Sequence, residues 1–229
     1  MKKSLKLERV VLLGRTLEEY TRFFGLDLDV LRGRRVLDVA SGVSSFCAEA
    51  NAHGIDTRAC DPIYASTPDD IEPRCSEDLE LVTSRIAGTT TYKWEFYKDP
   101  IRLKGFRERA YKRFLEDWRR APAGRYTPGL LPQLPFADRS HDLVLVSYLL
   151  FAYEAQFDYA FHKQAVLDVM RVSCGEARMY PVVNFEAEYS PYISRLTADP
   201  DLRHLLLDEV PTDFEFLIGS NRYLRIRHR

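Results

Sequence analysis

The sequence predicts a three-layer α/β fold. A mostly parallel sheet lies between helices, an antiparallel hairpin closes it at the C-terminal end, and a helical insertion separates the second and third strands. Three observations predict this. The run Arg35-Val36-Leu37-Asp38-Val39 is an apolar strand that breaks at Ala40-Ser41-Gly42 and enters a helix near Phe46. A second apolar strand ends in Cys60-Asp61-Pro62. After residue 125 strands and helices alternate again, up to a final pair of strands.

Each element has a local reason. Thr16-Leu17-Glu18-Glu19 is a capping box, so a helix starts there and stops near Gly25. A short helical turn fits 26–31. Strand one covers 35–40, a helix covers 44–53 and is closed by Gly54, and strand two covers 56–60. Residues 62–125 are longer than one crossover helix requires and form the insertion. Within it, Thr67-Pro68-Asp69-Asp70 has the form of a helix start, and Ser76 is placed to cap a helix running to Ile86. Leu103, Phe106, Ala110, Tyr111, Phe114, Leu115 and Trp118 recur at three- and four-residue spacing, an amphipathic helix over 103–120. Strands three to five are expected at 126–131, 142–148 and 177–183, with a helix at 159–172. A hairpin of 213–217 and 223–226 turns at Gly219-Ser220-Asn221. The chain reads as a single domain over 1–229, with an N-terminal helical cover over 1–33 and the insertion at 62–125 expected to act as lid and substrate region.

Composition narrows the function classes. The 229 residues are 45% hydrophobic and 29% charged, with a net charge of −1, ordinary for a globular chain and no argument for nucleic acid or an anionic membrane. Cys47, Cys60, Cys75 and Cys174 are widely spaced and form no CxxC pair. They read as reduced thiols in a cytoplasmic protein, with no zinc pattern and no metal expected. The basic N-terminus, Met1-Lys2-Lys3-Ser4-Leu5-Lys6, is followed by an apolar stretch at 10–13 that is too short for a signal-peptide core, and no run has transmembrane length.

The chemistry is concentrated at the strand ends. A turn of Ala40, Ser41 and Gly42 lets a ligand approach the backbone, and the following helix is expected to aim free N–H groups at it. Asp61, at the end of strand two, is placed to accept two hydrogen bonds from a ribose diol. The three-glycine pattern of a nicotinamide site is absent. A third segment, Leu134-Pro135-Phe136-Ala137-Asp138-Arg139-Ser140-His141-Asp142-Leu143-Val144, leads into strand four. Together these three segments resemble class I S-adenosylmethionine-dependent methyltransferases, with their seven-stranded, Rossmann-like sheet.

That resemblance implies S-adenosylmethionine (SAM) as cofactor and S-adenosylhomocysteine as product. It implies that Asp38 orients the turn and approaches the cofactor's amino group, that residues 40–42 pass under its methionine part, and that Asp61 and Pro62 meet its ribose. Ser147 is expected near the transferred methyl group. The acid that such enzymes often place before the Leu-Pro-Phe is absent here, so Gln133, Leu134 or a backbone group has to meet the adenine. Arg15 and Tyr20 are candidates to hold the methionine carboxylate.

The acceptor is less legible. Methyl transfer needs an aligned nucleophile and no fixed catalytic triad, and none is visible. Ser147-Tyr148-Leu149-Leu150-Phe151 is not an Asn-Pro-Pro-Tyr element, and neither His141 nor His162 is assigned to catalysis. Tyr64, Trp94, Tyr97 and Tyr148 are candidate substrate residues, an aromatic wall suited to a flat or cationic small molecule. Residues 104–125 carry eight basic side chains against three acids, and 66–80 carry six acids against one arginine. RNA methylation through the basic helix is therefore an alternative, and a non-catalytic binding partner of the same fold is another. No membrane partner is expected, and nothing in the sequence speaks to oligomeric state.

Overall fold

The computed structural model describes residues 9–229, so the basic N-terminal hexapeptide lies outside the described residues. Seven strands form one sheet in the order β3-β2-β1-β4-β5-β7-β6. They are β1 (Arg35–Val39), β2 (Asp56–Cys60), β3 (Tyr126–Thr127), β4 (His141–Ser147), β5 (Ser173–Tyr180), β6 (Leu205–Pro211) and β7 (Arg222–His228). The first five pair in parallel and β7 runs antiparallel to both β5 and β6. This is the mostly parallel α/β sheet with a C-terminal antiparallel hairpin that the sequence predicted.

The sheet is buried on both faces. Val36, Leu143, Leu145 and Tyr180 face α1 (Leu17–Phe24) and α3 (Phe46–Ala52). Leu37, Val39, Val144 and Val146 face α6 (Tyr159–Val172) and α7 (Pro191–Ala198). The capping box at Thr16 and Glu19 forms as expected, and α1 ends on left-handed Gly25. A one-turn helix, α2 (Leu28–Leu31), leads into β1.

Four expectations are corrected. The first helix of the insertion, α4 (Pro68–Ile86), starts at Thr67 as expected but runs unbroken past Ser76, where a separate cap was expected. An interior proline costs about 3 kcal/mol. Here the buried stripe of Ile71, Cys75, Leu79, Val82 and Ile86 outweighs that local break. The next helix, α5 (Pro100–Trp118), matches its amphipathic pattern. The third strand is only two residues long, because Pro128 and Pro132 cannot donate to a ladder. The fifth strand begins directly after α6 and stops before Pro181. The hairpin is built from β6 rather than from 213–217. Residues 213–217 instead carry buried Phe214, Phe216 and Leu217 against the insertion, with Lys93 N donating to Phe216 O at 2.7 Å. Gly219-Ser220-Asn221 does turn, with Gly219 left-handed.

The insertion is packed, with its own buried cluster. Tyr64, Ile71, Cys75, Leu79, Phe114 and Leu115 meet Cys47 of α3, Ala59 of β2 and Tyr126 of β3. Among the described residues no helix is long and apolar enough to cross a membrane.

Candidate functional site

β1, β2 and β4 are neighbours in the sheet, and their carboxyl ends line a cavity of about 440 Å3, the size range of small-molecule sites. Small residues make the floor. Ala40 and Gly42 are both left-handed, at φ 54°, and a Cβ added at Gly42 would meet nothing within 4 Å, so the backbone there faces open space. The turn is clamped from the side of β2. Gly42 N donates to Asp61 Oδ2 at 2.9 Å, and Tyr64 Oη donates to Gly42 O at 2.7 Å.

Asp61 caps the short 3-10 turn Pro62–Ala65, accepting from Ile63 N at 3.0 Å. Burial pushes its carboxyl above the ordinary value, while the Ile63 and Gly42 amides favour its charged form. Each oxygen still has a free lone pair, so a diol can be accepted without displacing either amide. Ser41 Oγ and Ser147 Oγ also reach the cavity, buried, and neither finds a partner at hydrogen-bonding geometry. Ser41 does lie close enough to Asp38 to favour its charged form, and Ser147 has the same kind of influence on Tyr20. Unsatisfied buried hydroxyls of this kind suit a polar ligand.

The structure brings Arg15, Tyr20, Ala40, Ser41, Gly42, Asp61, Pro62, Ser147 and Tyr148 together around this cavity. Asp38 is not among its lining residues. It is fully buried behind the turn, accepting from Tyr20 Oη at 2.9 and 3.1 Å. Burial pushes its carboxyl up to about 7, against the opposing pull of Ser41 and Tyr20. Asp38 thus holds Tyr20 and does not line the cavity, and the Tyr20 hydroxyl is committed to it rather than free for a carboxylate. Gln133 is exposed and outside the cavity, and Leu134 is buried with its N–H on Asp168 at 2.7 Å. Gly129, Leu130 and Leu131 line the wall expected of those two residues.

A strap of residues 10–15 crosses over the site. Val11 N donates to Tyr153 Oη at 3.3 Å, Leu12 N donates to Asp78 at 2.8 Å, and Arg9 pairs with the same aspartate. At Gly14 a Cβ would stand 2.3 Å from Val43 O, so only glycine lets the strap approach this closely. The strap also takes the donors expected for a ligand. Ser45 N donates to Arg15 O at 2.9 Å, and Phe46 N donates to Ser44 Oγ at 3.3 Å, so the start of α3 is capped by the protein itself.

Of the expected aromatic wall only Tyr148 lines the cavity. Tyr64 packs against Phe114, Trp118 and Tyr126, and Trp94 against Phe216. Tyr97 is fully buried, donating to Glu19 and accepting from Arg107 Nη2 at 2.7 Å. Tyr92, Tyr153, Phe157, Phe161, Phe185 and Phe216 form the wall instead. The aromatic density of 148–161 was a signal for part of it. Nothing in the sequence marked Tyr92 or Phe185.

Glu19, Arg107 and Tyr97 form a buried network tying α1 to α5. Burial opposes charge on both ionic partners, yet their mutual attraction holds Glu19 below and Arg107 above its ordinary pKa. The other basic side chains of 104–125 are largely committed to acids. Lys104 pairs with Glu80, Lys112 with Glu108, and Arg113 and Arg120 with Glu116. Arg119 pairs with Asp69 and Glu72, Arg125 with Asp117, and Arg109 lies over Phe106. His162 is buried with its two ring nitrogens on the carbonyls of Asp158 and Leu150, a packing role.

No family model matches the chain. Uncharacterized protein MJ0045 of Methanocaldococcus jannaschii is 36% identical over 225 residues, 97% of this chain and 98% of that protein. Among solved structures, the chain is similar to a TehB-like SAM-dependent methyltransferase of Corynebacterium glutamicum (14% identity, 93% and 97% of the two chains, TM-score 0.46). It is also similar to the magnesium protoporphyrin IX methyltransferase of Synechocystis PCC 6803 with bound SAM (12%, 93% and 78%, TM-score 0.45). A further similarity is to a SAM-dependent methyltransferase structure from Methanosarcina mazei (12%, 85% and 92%, TM-score 0.46).

Proposed function

The chain belongs to one family with protein MJ0045 of M. jannaschii, and on its class I methyltransferase fold we propose a SAM-dependent methyltransferase acting on a small molecule. The observation that carries this reading is the juxtaposition of the open Gly42 turn, the Asp61 carboxylate and the unsatisfied Ser147 hydroxyl around one cavity at the strand ends. The residues fit the cofactor: a small-residue floor, a strand-end acid with free lone pairs, and apolar Ile63, Leu130 and Leu131 where a flat ring system needs cover.

SAM supplies an activated methyl group when bound. The chain's own part is binding, alignment and exclusion of water. Asp61 accepts from the ribose hydroxyls, Gly42 allows close backbone approach, and the strap of residues 10–15 roofs the cavity. The largely apolar wall beyond Ser147 supports a small hydrophobic acceptor. The paired arginines and lysines of α5 leave little free charge for RNA, so the small-molecule reading is favoured.

Calorimetric titration with SAM and with S-adenosylhomocysteine tests the proposal. Micromolar binding of both is expected for an enzyme that must also release product. Absence of binding by either removes the reading.

A further inference from the structure

The cavity wall holds an unbalanced set of charges. Arg15 reaches it from the strap. One guanidinium N–H donates to Leu13 O, the plane lies 4.4 Å from the centre of the Tyr148 ring, and Nε is buried without a partner. Among the described residues no carboxylate lies within ion-pair distance of Arg15; the buried Glu19 feels its charge but is paired with Arg107. The side chain is half-buried, and its buried, unused Nε–H can serve an anion that enters the cavity.

The same wall lacks a base. Among the described residues Asp61 is the one acidic side chain lining the cavity, and no histidine, lysine, glutamate or cysteine does so. Asp61 holds the Gly42 and Ile63 amides, and on the methyltransferase reading its remaining lone pairs are taken by the ribose hydroxyls. The nearby phenol of Tyr92 is kept protonated by burial, so it donates and does not take a proton. An acceptor that must lose a proton on the enzyme finds no group to receive it.

Resting on the methyltransferase reading, we infer that the methyl acceptor is an anionic heteroatom, a carboxylate or thiolate, on a hydrophobic body, held beside Tyr148 by Arg15. A lone pair of the anion forms the bond to the methyl carbon while the carbon–sulfur bond of the sulfonium breaks and its electron pair returns to sulfur. Anion and cation become two neutral molecules and no proton moves. A poorly hydrated, apolar cavity favours this loss of charge.

The test uses three probes of one shape: naphthoate, naphthalenethiol and naphthylmethylamine. SAM and S-adenosylhomocysteine affinities are measured first by calorimetry. Each probe is then titrated into the protein saturated with S-adenosylhomocysteine, and turnover is followed with SAM as product release. Naphthoate or the thiolate is expected to bind and turn over, and the amine is not. Arg15→Gln should weaken naphthoate binding about tenfold or more, a larger loss than it causes in S-adenosylhomocysteine affinity, and Arg15→Lys should restore part of it. Three results overturn the inference while SAM binding keeps the enzyme reading: the amine as the better acceptor, no binding of either anion, or an Arg15→Gln defect confined to cofactor affinity. Failure to bind SAM at all removes both.

Discussion

Asp61 and Asp38 show how two strand-end acids come to differ. Asp61 keeps lone pairs toward the cavity while its oxygens hold Gly42 N and Ile63 N. Asp61→Ala should therefore weaken SAM binding by about 2–4 kcal/mol and, by removing a cap, lower stability by about 1 kcal/mol. Calorimetry and thermal melting separate the two effects, and unchanged affinity would show that the ribose is held elsewhere. Asp38 faces away from the cavity, and its carboxyl is pushed up to about 7 by burial. An acid that binds its proton more tightly folded than unfolded loses stability as pH rises. Its contribution is complete below about pH 4, the unfolded value, and is lost by about pH 7, at most ~4 kcal/mol. Asp38→Asn keeps an acceptor for Tyr20 and removes that titration. The stability of the variant relative to wild type should grow between about pH 4 and about pH 7, read from urea midpoints. A constant difference would mean Asp38 is ionised in the folded protein throughout. The sequence announced both acids equally well; only packing against Tyr20 sent one of them behind the turn.

At the scale of elements, α1 and α5 meet through Glu19, Arg107 and Tyr97, with Arg107 also donating to Gly14 O at 3.1 Å. Removing one partner leaves a buried charge without its answer, so Glu19→Gln should destabilise by about 3–5 kcal/mol. Adding Arg107→Met to that variant should recover part of the loss, because the pair rather than either charge is what burial tolerates. Chemical denaturation of the single and double variants checks this, and additive losses would contradict it. The strap has a steric requirement of its own. Gly14→Ala would drive a Cβ to 2.3 Å from Val43 O, so the strap must lift. Weaker SAM binding with an intact sheet is expected from calorimetry and circular dichroism. The capping box of α1 and the stripe of α5 were legible because local geometry alone produces them. The unbroken α4 was not, since its continuity through Pro73 depends on partners far away in sequence.

At the scale of the whole molecule, the segments that line the cavity differ in how they are held. The insertion is held by its own buried cluster and by the backbone pairing of residues 91–93 with 216–218. The strap has no secondary structure of its own and is held by single hydrogen bonds, among them Val11 N to Tyr153 Oη at 3.3 Å and Leu12 N to Asp78 at 2.8 Å. Hydrogen exchange should therefore find residues 10–15 opening readily in the free protein and slowing when SAM is bound, with α4 and α5 protected in both states. Slow exchange of the strap without ligand would place the entrance elsewhere.

The sequence by itself determined the class of fold and the strand-end side of the cavity. Strand periodicity, the small-residue turn at 40–42 and the strand-end acid at 61 are local patterns, and the parallel order of β1, β2 and β4 gathers their ends without further instruction. Tertiary structure alone decided the acceptor end. Phe216 reaches the cavity because residues 213–217 leave the sheet to pack under the insertion, giving the hairpin to β6. Tyr64 and Tyr97 left the wall because the aromatic clusters bury them more fully than an open cavity could. Arg15 stands at the site without a carboxylate because the strap crosses the strand ends. Which aromatic faces a ligand and which fills a core depends on contacts between distant segments, and no local spacing encodes those.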